Sequence, residues 1–263
     1  EPAVPRFAAN LTMLFTEVPF LERFGRAAAA GFGAVECLFP YEASPEAVAA
    51  ELSRHGLTLA LFNLPPGDWA AGDRGFACDP ARAEEGSAAL ERALPWIRAT
   101  GVGRVHLMAG LGDRSDPARV VAYSAAVAAT ADRLAADGVD VLIEPINHRD
   151  MPGYFLDDFD FAADLITRLA RPNLKLQFDV YHRQIVAGDV TMALRRLLPI
   201  IGHVQIASVP ARNEPGTGEL ADDFLFDELD RLGYAGFVGC EYRPAAGTEA
   251  GLAWFEPWRG RQR

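Results

Sequence analysis

The chain has 263 residues, 50% of them hydrophobic, and a formal net charge of -11 at pH 7. This length suits one α/β barrel domain with a single large core, which we expect to span residues 1–263. Because the negative charge repels nucleic-acid phosphates and anionic lipids, and no lysine or arginine run offsets it, we expect a small-molecule substrate, with neither nucleic acid nor a membrane as a partner.

The three cysteines are Cys37, Cys78 and Cys240. They are odd in number, widely separated and without a Cys-x-x-Cys pair, which argues against a disulfide framework and against a structural zinc site. No uncharged apolar stretch approaches the roughly 18 residues that a membrane span needs, and the segment from Glu1 to Asn10 lacks the apolar region of a signal peptide. We therefore expect a cytosolic protein.

Short β-like runs alternate with longer helix-like runs along the chain. In order, the predicted strands are Phe7–Met13, Ala34–Leu38, Thr58–Leu64, Arg104–Ala109, Val141–Asn147, Leu174–Tyr181, His203–Ser208 and Phe237–Tyr242. Eight is the strand number of the (β/α)8 TIM barrel, which is the fold that we predict. Because the spacing of the strands is irregular, a doubly wound open sheet stays the structural alternative.

The segments between the strands show the signals of helices. The segment Asp116–Ala136 has an apolar stripe at helical spacing with charges on the opposite face. Ser44 precedes Pro45 and Asp79 precedes Pro80, and each pair places a capping residue before a first-turn proline. No linker or low-complexity tract divides the chain, which favours a single domain.

Four predicted strands in the second half end in an oxygen-bearing side chain: Glu144, Asp179, Gln205 and Glu241. Strand alternation turns their apolar neighbours outward to the helices and these four inward, near the C-terminal ends where TIM barrels build active sites. One alone could mark a strand emerging into solvent, but four in one register indicate a site. Inward carboxylates repel one another unless a cation neutralises them, so the cluster predicts a divalent metal. Oxygen donors favour Mg²⁺ or Mn²⁺ over Zn²⁺.

The motifs around these residues are Glu144-Pro-Ile-Asn147, Met151-Pro-Gly-Tyr-Phe155, Asp179-Val-Tyr-His182, Gln205-Ile-Ala-Ser-Val-Pro210, Arg212-Asn-Glu-Pro-Gly216 and Gly239-Cys-Glu-Tyr242, with Asn63-Leu-Pro-Pro-Gly-Asp-Trp69 and Gly72-Asp-Arg-Gly75 in the first half. Together they resemble, nearly end to end, the hydroxypyruvate isomerase family of xylose isomerase-like TIM barrels. The resemblance implies a metal held by Glu144, Asp179, Gln205 and Glu241, with His182 and Arg212 touching substrate. Related ketose 3-epimerases usually have a histidine where Gln205 stands, which argues against epimerisation of large ketoses.

Such a site suits a proton-transfer reaction. Interconverting an α-hydroxy ketone and an α-hydroxy aldehyde removes a proton from one carbon and returns one to its neighbour through an enediolate, which a metal would stabilise. Glu144 and Glu241 are the candidate base and acid, in either order. His182 could hydrogen-bond a substrate oxygen and Arg212 could pair with a substrate carboxylate, while solvated loop positions are the alternative for both.

Other residues have weaker assignments. Arg74 is a further candidate for substrate binding and lies with Trp69 in a Gly-rich segment that could act as a lid or be a static loop. His106 is predicted to be a packed core histidine. Candidates for hydrogen bonds behind the site are Glu36, Asn63 and His203. The C-terminal aromatic residues, which could cover the helical layer or a homo-oligomer interface, are Trp254, Phe255 and Trp258.

The residues and the resemblance together predict an aldose–ketose isomerase that interconverts hydroxypyruvate and 2-hydroxy-3-oxopropanoate. Within the class, the alternatives are a 2-oxotetronate isomerase and a ketose 3-epimerase. A nuclease or phosphodiesterase on this barrel would want several metals, a basic face and more than the five histidines present. A non-catalytic metal or sugar-acid binding protein would keep the ligands without needing a carboxylate free to move protons.

Overall fold

A computed structural model describes residues 5–261 of the chain. Eight parallel strands pair in chain order, and the last pairs with the first, so the sheet closes into a barrel. The strands are β1 (Arg6–Asn10), β2 (Ala34–Glu36), β3 (Thr58–Asn63), β4 (Arg104–His106), β5 (Asp140–Ile143), β6 (Leu174–Asp179), β7 (Ile201–Ile206) and β8 (Phe237–Cys240). This closure confirms the predicted TIM barrel and excludes the open sheet, which would leave two strand edges unpaired.

Helices surround the barrel. They are α1 (Phe20–Ala30), α2 (Pro45–His55), α3 (Ala83–Thr100), α4 (Pro117–Ala135), α5 (Phe159–Leu169), α6 (Val180–Val186), α7 (Val190–Leu197) and α8 (Asp222–Arg231), with short 3-10 helices at Pro80–Arg82, Leu198–Ile200, Glu249–Phe255 and Arg259–Arg261. Within residues 5–261, no helix has the length and apolar character that crossing a membrane requires.

The predicted helix starts are largely observed. The Ser44 and Asp116 side chains accept hydrogen bonds from the backbone N–H of Ala47 at 3.1 Å and of Ala118 at 2.9 Å. Asp79 also caps a helical turn, but that turn is the 3-10 helix Pro80–Arg82, which precedes α3. These caps satisfy N–H groups that have no partner within the helix.

All eight strands stop before their predicted C-terminal ends. For example, β5 ends at Ile143, whereas the apolar pattern predicted a strand up to Asn147. The next residues leave the cylinder to build the mouth, and Pro145 has no N–H to offer to a strand ladder. Glu144 therefore stands at the rim of the barrel.

The interior of the barrel has an apolar floor and a polar upper layer. Ala8, Ala34 and Ala60 form a small buried cluster with Phe237 packed against it. The outward residues of the strands, such as Ile143, belong to the large core beneath the helices. The polar residues follow the alanines toward the C-terminal ends of the strands, so the fold directs them to the mouth.

The C-terminal aromatic residues pack against the first strand. The rings of Trp254, Phe255 and Trp258 lie 5.1, 5.9 and 6.0 Å from the ring of Phe7. Trp254 also lies 6.1 Å from Phe226 of α8. Of the two predicted roles, covering the helical layer is the one observed within the chain.

Candidate active site

Three carboxylates meet inside the C-terminal mouth of the barrel. Asp179 is the last residue of β6, while Glu144 and Glu241 directly follow β5 and β8. All three are buried, and Glu241, the most exposed, has a relative exposure of 7%. Burial raises the pKa of each carboxyl above its ordinary value, and neighbouring carboxylates add to the shift. A cation would relieve both penalties.

The Arg212 guanidinium covers this cluster. Its Nη2 lies 3.1 Å from Glu241 Oε2 and 3.9 Å from Asp179 Oδ2, and its Nη1 lies 3.5 Å from Asp150 Oδ2. The guanidinium also lies over the Tyr181 ring, 4.7 Å from its centre. Its Nε makes no hydrogen bond within residues 5–261 although it is buried. One N–H of the guanidinium therefore lacks an acceptor among the described residues.

The backbone of Arg212 has a left-handed conformation, with φ at 58°. This region is unfavourable for a residue with a side chain. Two hydrogen bonds hold it: the Arg212 N–H donates to Ser208 O at 2.9 Å, and the Arg243 N–H donates to Arg212 O at 2.7 Å. The loop after β7 is thus bonded into the shape that turns this arginine toward the mouth.

His182 lies against two of the carboxylates. Its Nε2 is 3.7 Å from Asp179 Oδ2 and 3.9 Å from Glu144 Oε1. Its Nδ1 lies 3.3 Å from the Asn147 backbone nitrogen and 2.7 Å from the Asn147 side-chain amide nitrogen. Because the Asp150 N–H donates to Asn147 Oδ1 at 2.9 Å, the nitrogen end of that amide faces His182.

These contacts fix the protonation of the His182 ring. Burial lowers its pKa well below the ordinary value, so the ring is neutral near pH 7. Since Nδ1 accepts hydrogen bonds from Asn147, the single proton resides on Nε2. His182 therefore presents an N–H donor to the mouth, which suits a substrate oxygen better than a metal ion.

Two carboxylate oxygens of the cluster that lack a hydrogen-bond partner are suited to bind a cation. Ligand atoms of Glu144, Asp179 and His182 all lie within 4.8 Å of one another. Glu144 Oε1 and Asp179 Oδ2 have no hydrogen-bond partner within the described part of the chain. Two buried carboxylate oxygens aimed at the same region are donors of the kind that Mg²⁺ and Mn²⁺ take.

Gln205 lies on the neighbouring strand, opposite Asp179 in the register of β6 and β7. Its Nε2 donates to Glu36 Oε1 at 2.8 Å, and its Oε1 accepts from Gln177 Nε2 at 2.7 Å. The amide oxygen keeps a second lone pair. The predicted ligand residue is thus beside the cluster, with its orientation fixed by buried partners.

His106 is buried, as predicted, but it is also part of the site. Its Nδ1 lies 3.6 Å from Glu144 Oε2, and neither ring nitrogen makes a hydrogen bond within residues 5–261. Burial lowers its pKa to about 3, so this ring is also neutral near pH 7. Glu144 therefore has a neutral histidine on the side of each oxygen.

Arg74 is held within its own loop. Its Nη1 donates to the carbonyl oxygens of Trp69 at 3.1 Å and Asp73 at 2.7 Å. Its guanidinium lies 3.8 Å from the centre of the Trp69 ring. These contacts do not join Arg74 to the carboxylate cluster, and its role in substrate binding stays a prediction.

The sequence pattern missed three residues that hold the site together. Asn147 binds His182, Asp150 faces Arg212, and the Tyr181 hydroxyl donates to Asp150 Oδ2 at 2.7 Å. Asn147 and Tyr181 lie in the motifs that carried the family resemblance, and Asp150 lies between two of those motifs. Strand alternation gives no signal for them because their contacts arise where the loop after β5 meets α6 over the mouth.

Comparisons with known proteins agree with this architecture. Residues 24–258 match the xylose isomerase-like TIM barrel family. The chain is 53% identical to a 2-oxo-tetronate isomerase of Cupriavidus necator, with 98% of this chain and 100% of that protein covered. It is 43% identical to a hydroxypyruvate isomerase of Escherichia coli, with 97% and 99% covered. A crystal structure from Brucella melitensis, described as AP endonuclease, family 2, has 48% identity, a TM-score of 0.94 and coverage of 97% and 99%.

Proposed function

The chain belongs to the xylose isomerase-like TIM barrel family, and we propose that it is an aldose–ketose isomerase of small hydroxy-oxo acids. The proposed reaction interconverts hydroxypyruvate and 2-hydroxy-3-oxopropanoate. The observation that carries the proposal is the combination of buried carboxylates of raised pKa with a buried arginine, Arg212, that retains a free donor. The carboxylates can exchange protons with a substrate carbon near neutral pH, and Arg212 can bind a substrate carboxylate.

The residues of the chain divide the work of this reaction. The Nε2–H of His182 donates to a substrate oxygen, while the Arg212 guanidinium pairs with the substrate carboxylate. Glu144 and Glu241, directly after β5 and β8, stand on two sides of the mouth and act as base and acid, in either order. A divalent ion held by Glu144, Asp179, Gln205 and Glu241, with Mg²⁺ or Mn²⁺ the best match to these donors, would supply Lewis-acid stabilisation of the enediolate charge.

2-Oxotetronate is the second candidate substrate. The relative with the higher of the two reported identities is the 2-oxo-tetronate isomerase of Cupriavidus necator. Both acids have a carboxylate for Arg212 and the same hydroxy-ketone unit for the glutamates. The choice between them changes the substrate name and leaves the mechanism unchanged.

A nuclease function has less support. The Brucella melitensis protein is described as an AP endonuclease, but the net charge of -11 opposes binding of this chain to DNA phosphates. Among residues 5–261, one group of His, Cys, Asp and Glu side chains is close enough to hold an ion, whereas a nuclease on this barrel would want several metals.

The cytosolic location and a homo-oligomer stay predictions.

A substrate panel tests the proposal. We expect hydroxypyruvate to have the highest kcat/KM in a set that includes 2-oxotetronate, dihydroxyacetone, fructose and tagatose. An arginine–carboxylate pair should favour the acids over neutral ketoses on the order of thirty- to a thousand-fold. Arg212→Ala should narrow this gap, whereas Arg243→Ala, which removes an exposed arginine nearby, should not.

Two results would change the proposal in different ways. A clear preference for 2-oxotetronate would keep the mechanism and replace the substrate. A preference for a neutral ketohexose that Arg212→Ala leaves unchanged would contradict the assigned acid-binding role of the arginine.

A further inference from the structure

A further buried carboxylate lies beneath the metal-site candidates. Glu36, the last residue of β2, is completely buried. Its Oε1 accepts hydrogen bonds from Asn10 Nδ2 at 3.0 Å and from Gln205 Nε2 at 2.8 Å. Its Oε2 lies 2.6 Å from His203 Nε2. Glu36 thus reaches from β2 to two inward residues of β7.

The absence of a side chain at Gly239 leaves the space that the Glu36 carboxylate occupies. It lies opposite Gln205 in the register of β7 and β8. A Cβ atom at position 239 would stand 2.3 Å from Glu36 Oε2 and 2.4 Å from Oε1, closer than side-chain carbons approach other atoms. Any side chain at 239 would therefore displace the Glu36 carboxylate. The need here is for small size, since the φ of Gly239 is not positive.

The Glu36 contact fixes which end of the Gln205 amide faces Glu36 and which end faces away from it. A carboxylate offers acceptors, so it binds the NH₂ end of the amide and leaves the oxygen on the opposite side. That oxygen accepts one hydrogen bond from Gln177 and keeps a lone pair. A flipped amide would instead present N–H donors to a cation, and such donors cannot coordinate it.

We propose that Glu36 is a positioning residue that fixes the Gln205 amide oxygen toward the metal site and thereby sets the affinity of that site for a divalent ion. The space left by Gly239 and the opposing contact to His203 hold Glu36 in place for this role. The inference rests on the metal-binding part of the proposed function. Because Glu36 acts by orienting the Gln205 amide, the affinity for the ion should depend on an acceptor oxygen at position 36 and only weakly on the charge of that residue.

Mn²⁺ binding to the metal-free protein, without substrate, tests the proposal through the free-ion signal in electron paramagnetic resonance. Glu36→Met removes the acceptor and should raise the Kd about 10- to 100-fold. The Kd of Glu36→Gln should stay close to that of the parent. The oxygen of the new amide can still accept from Gln205, while its NH₂ donates to His203 Nε2 when the ring proton is on Nδ1. Glu36→Met combined with Gln205→Glu should restore binding, because a carboxylate has an acceptor oxygen at either end.

Each other outcome excludes the idea. If Glu36→Gln binds as weakly as Glu36→Met, charge and not orientation controls affinity. If the double variant stays as weak as Glu36→Met, the role of Glu36 is structural. Equal binding by the parent and Glu36→Met overturns the inference alone, whereas no binding by the parent also overturns the proposed metal site.

A second pair of variants covers the case in which Glu36→Met does not fold. Gly239→Ala pushes the carboxylate away without changing its chemistry and should weaken Mn²⁺ binding. Gly202→Ala is the matched control, because its Cβ would stand 2.7 Å from the Leu142 and Lys175 side chains without meeting Glu36. Equal effects of the two glycine variants on the Kd would overturn the inference.

Discussion

The two oxygens of Glu144 face different neighbours. Oε1 lies 3.9 Å from His182 Nε2, on the side of Asp179, and Oε2 lies 3.6 Å from His106 Nδ1. One oxygen can therefore take part in ion binding while the other exchanges a proton with substrate. In the proposed reaction, this division would let Glu144 serve as metal ligand and as base at once.

Substituting the two glutamates tests this dual role. Glu144→Gln and Glu241→Gln keep an oxygen donor and nearly the same volume but remove the basic group, so turnover should fall by about 10²-fold or more while Mn²⁺ binding falls less. Single-turnover kinetics and Mn²⁺ titration measure the two effects. Asp222→Asn is the control, because Asp222 is buried outside the cluster and accepts from the Gly216 N–H. Near-parent turnover of both glutamine variants with metal bound would refute the two-glutamate mechanism.

At the residue scale, the sequence predicted which side chains point into the barrel but not all of the contacts that these side chains make. Alternation placed Glu144, Asp179, Gln205 and Glu241 inside because it depends on a local period of two. It could not show that Glu36 reaches β7, because that contact depends on barrel curvature and on an absent side chain at Gly239.

Glu228 links two helices on the outside of the barrel. Its carboxylate lies 2.5 Å from Arg195 Nε of α7 and 2.6 Å from Arg231 Nη2 of α8 itself. These hydrogen bonds, that of Arg195 above all, hold the pKa of Glu228 down to about 2. Because the folded carboxyl releases its proton more readily than the unfolded one, the link adds stability above pH 4.5 and loses it as the pH falls toward 2.

Replacing Glu228 tests this link. Glu228→Gln should lower Tm at pH 7, and the difference from the parent should narrow as the pH falls below 4.5. Thermal unfolding followed by circular dichroism at several pH values measures it. Glu256→Gln, which removes the exposed partner of Arg259, should have little effect at any pH. A Tm difference that is constant from neutral to acidic pH would show that the ion pairs do not cause the loss.

The ends of the elements were predicted less well than their existence. The apolar runs of β5 and β6 continue into the mouth, so the pattern extended both strands too far. Those residues are buried by loops and helices instead of a strand ladder; Tyr181, predicted as strand, begins α6 with Val180 and His182. Hydrophobicity records burial and does not distinguish these two environments.

Ion binding should stabilise the whole molecule, because the three carboxylates destabilise the folded chain while they are charged and buried together. At a free Mn²⁺ concentration of about 100 times Kd, binding adds roughly 2.7 kcal/mol. For a chain of this size that corresponds to a rise in Tm of about 5–10 °C. Differential scanning calorimetry with EDTA and then with added Mn²⁺ measures the shift. Identical Tm values and full turnover in metal-free protein would refute metal dependence.

The barrel can close only after its last strand has been synthesised. Phe7 lies in register with Val238, and its ring packs against Trp254 and Trp258, so the first strand depends on the last part of the chain. At roughly 5–20 residues per second, a ribosome needs on the order of 10–50 seconds between making β1 and making β8. During that interval one edge of β1 has no native partner, and such an edge can pair with other nascent chains. Until the final strand emerges, pairing of this edge with another chain therefore competes with closure of the barrel.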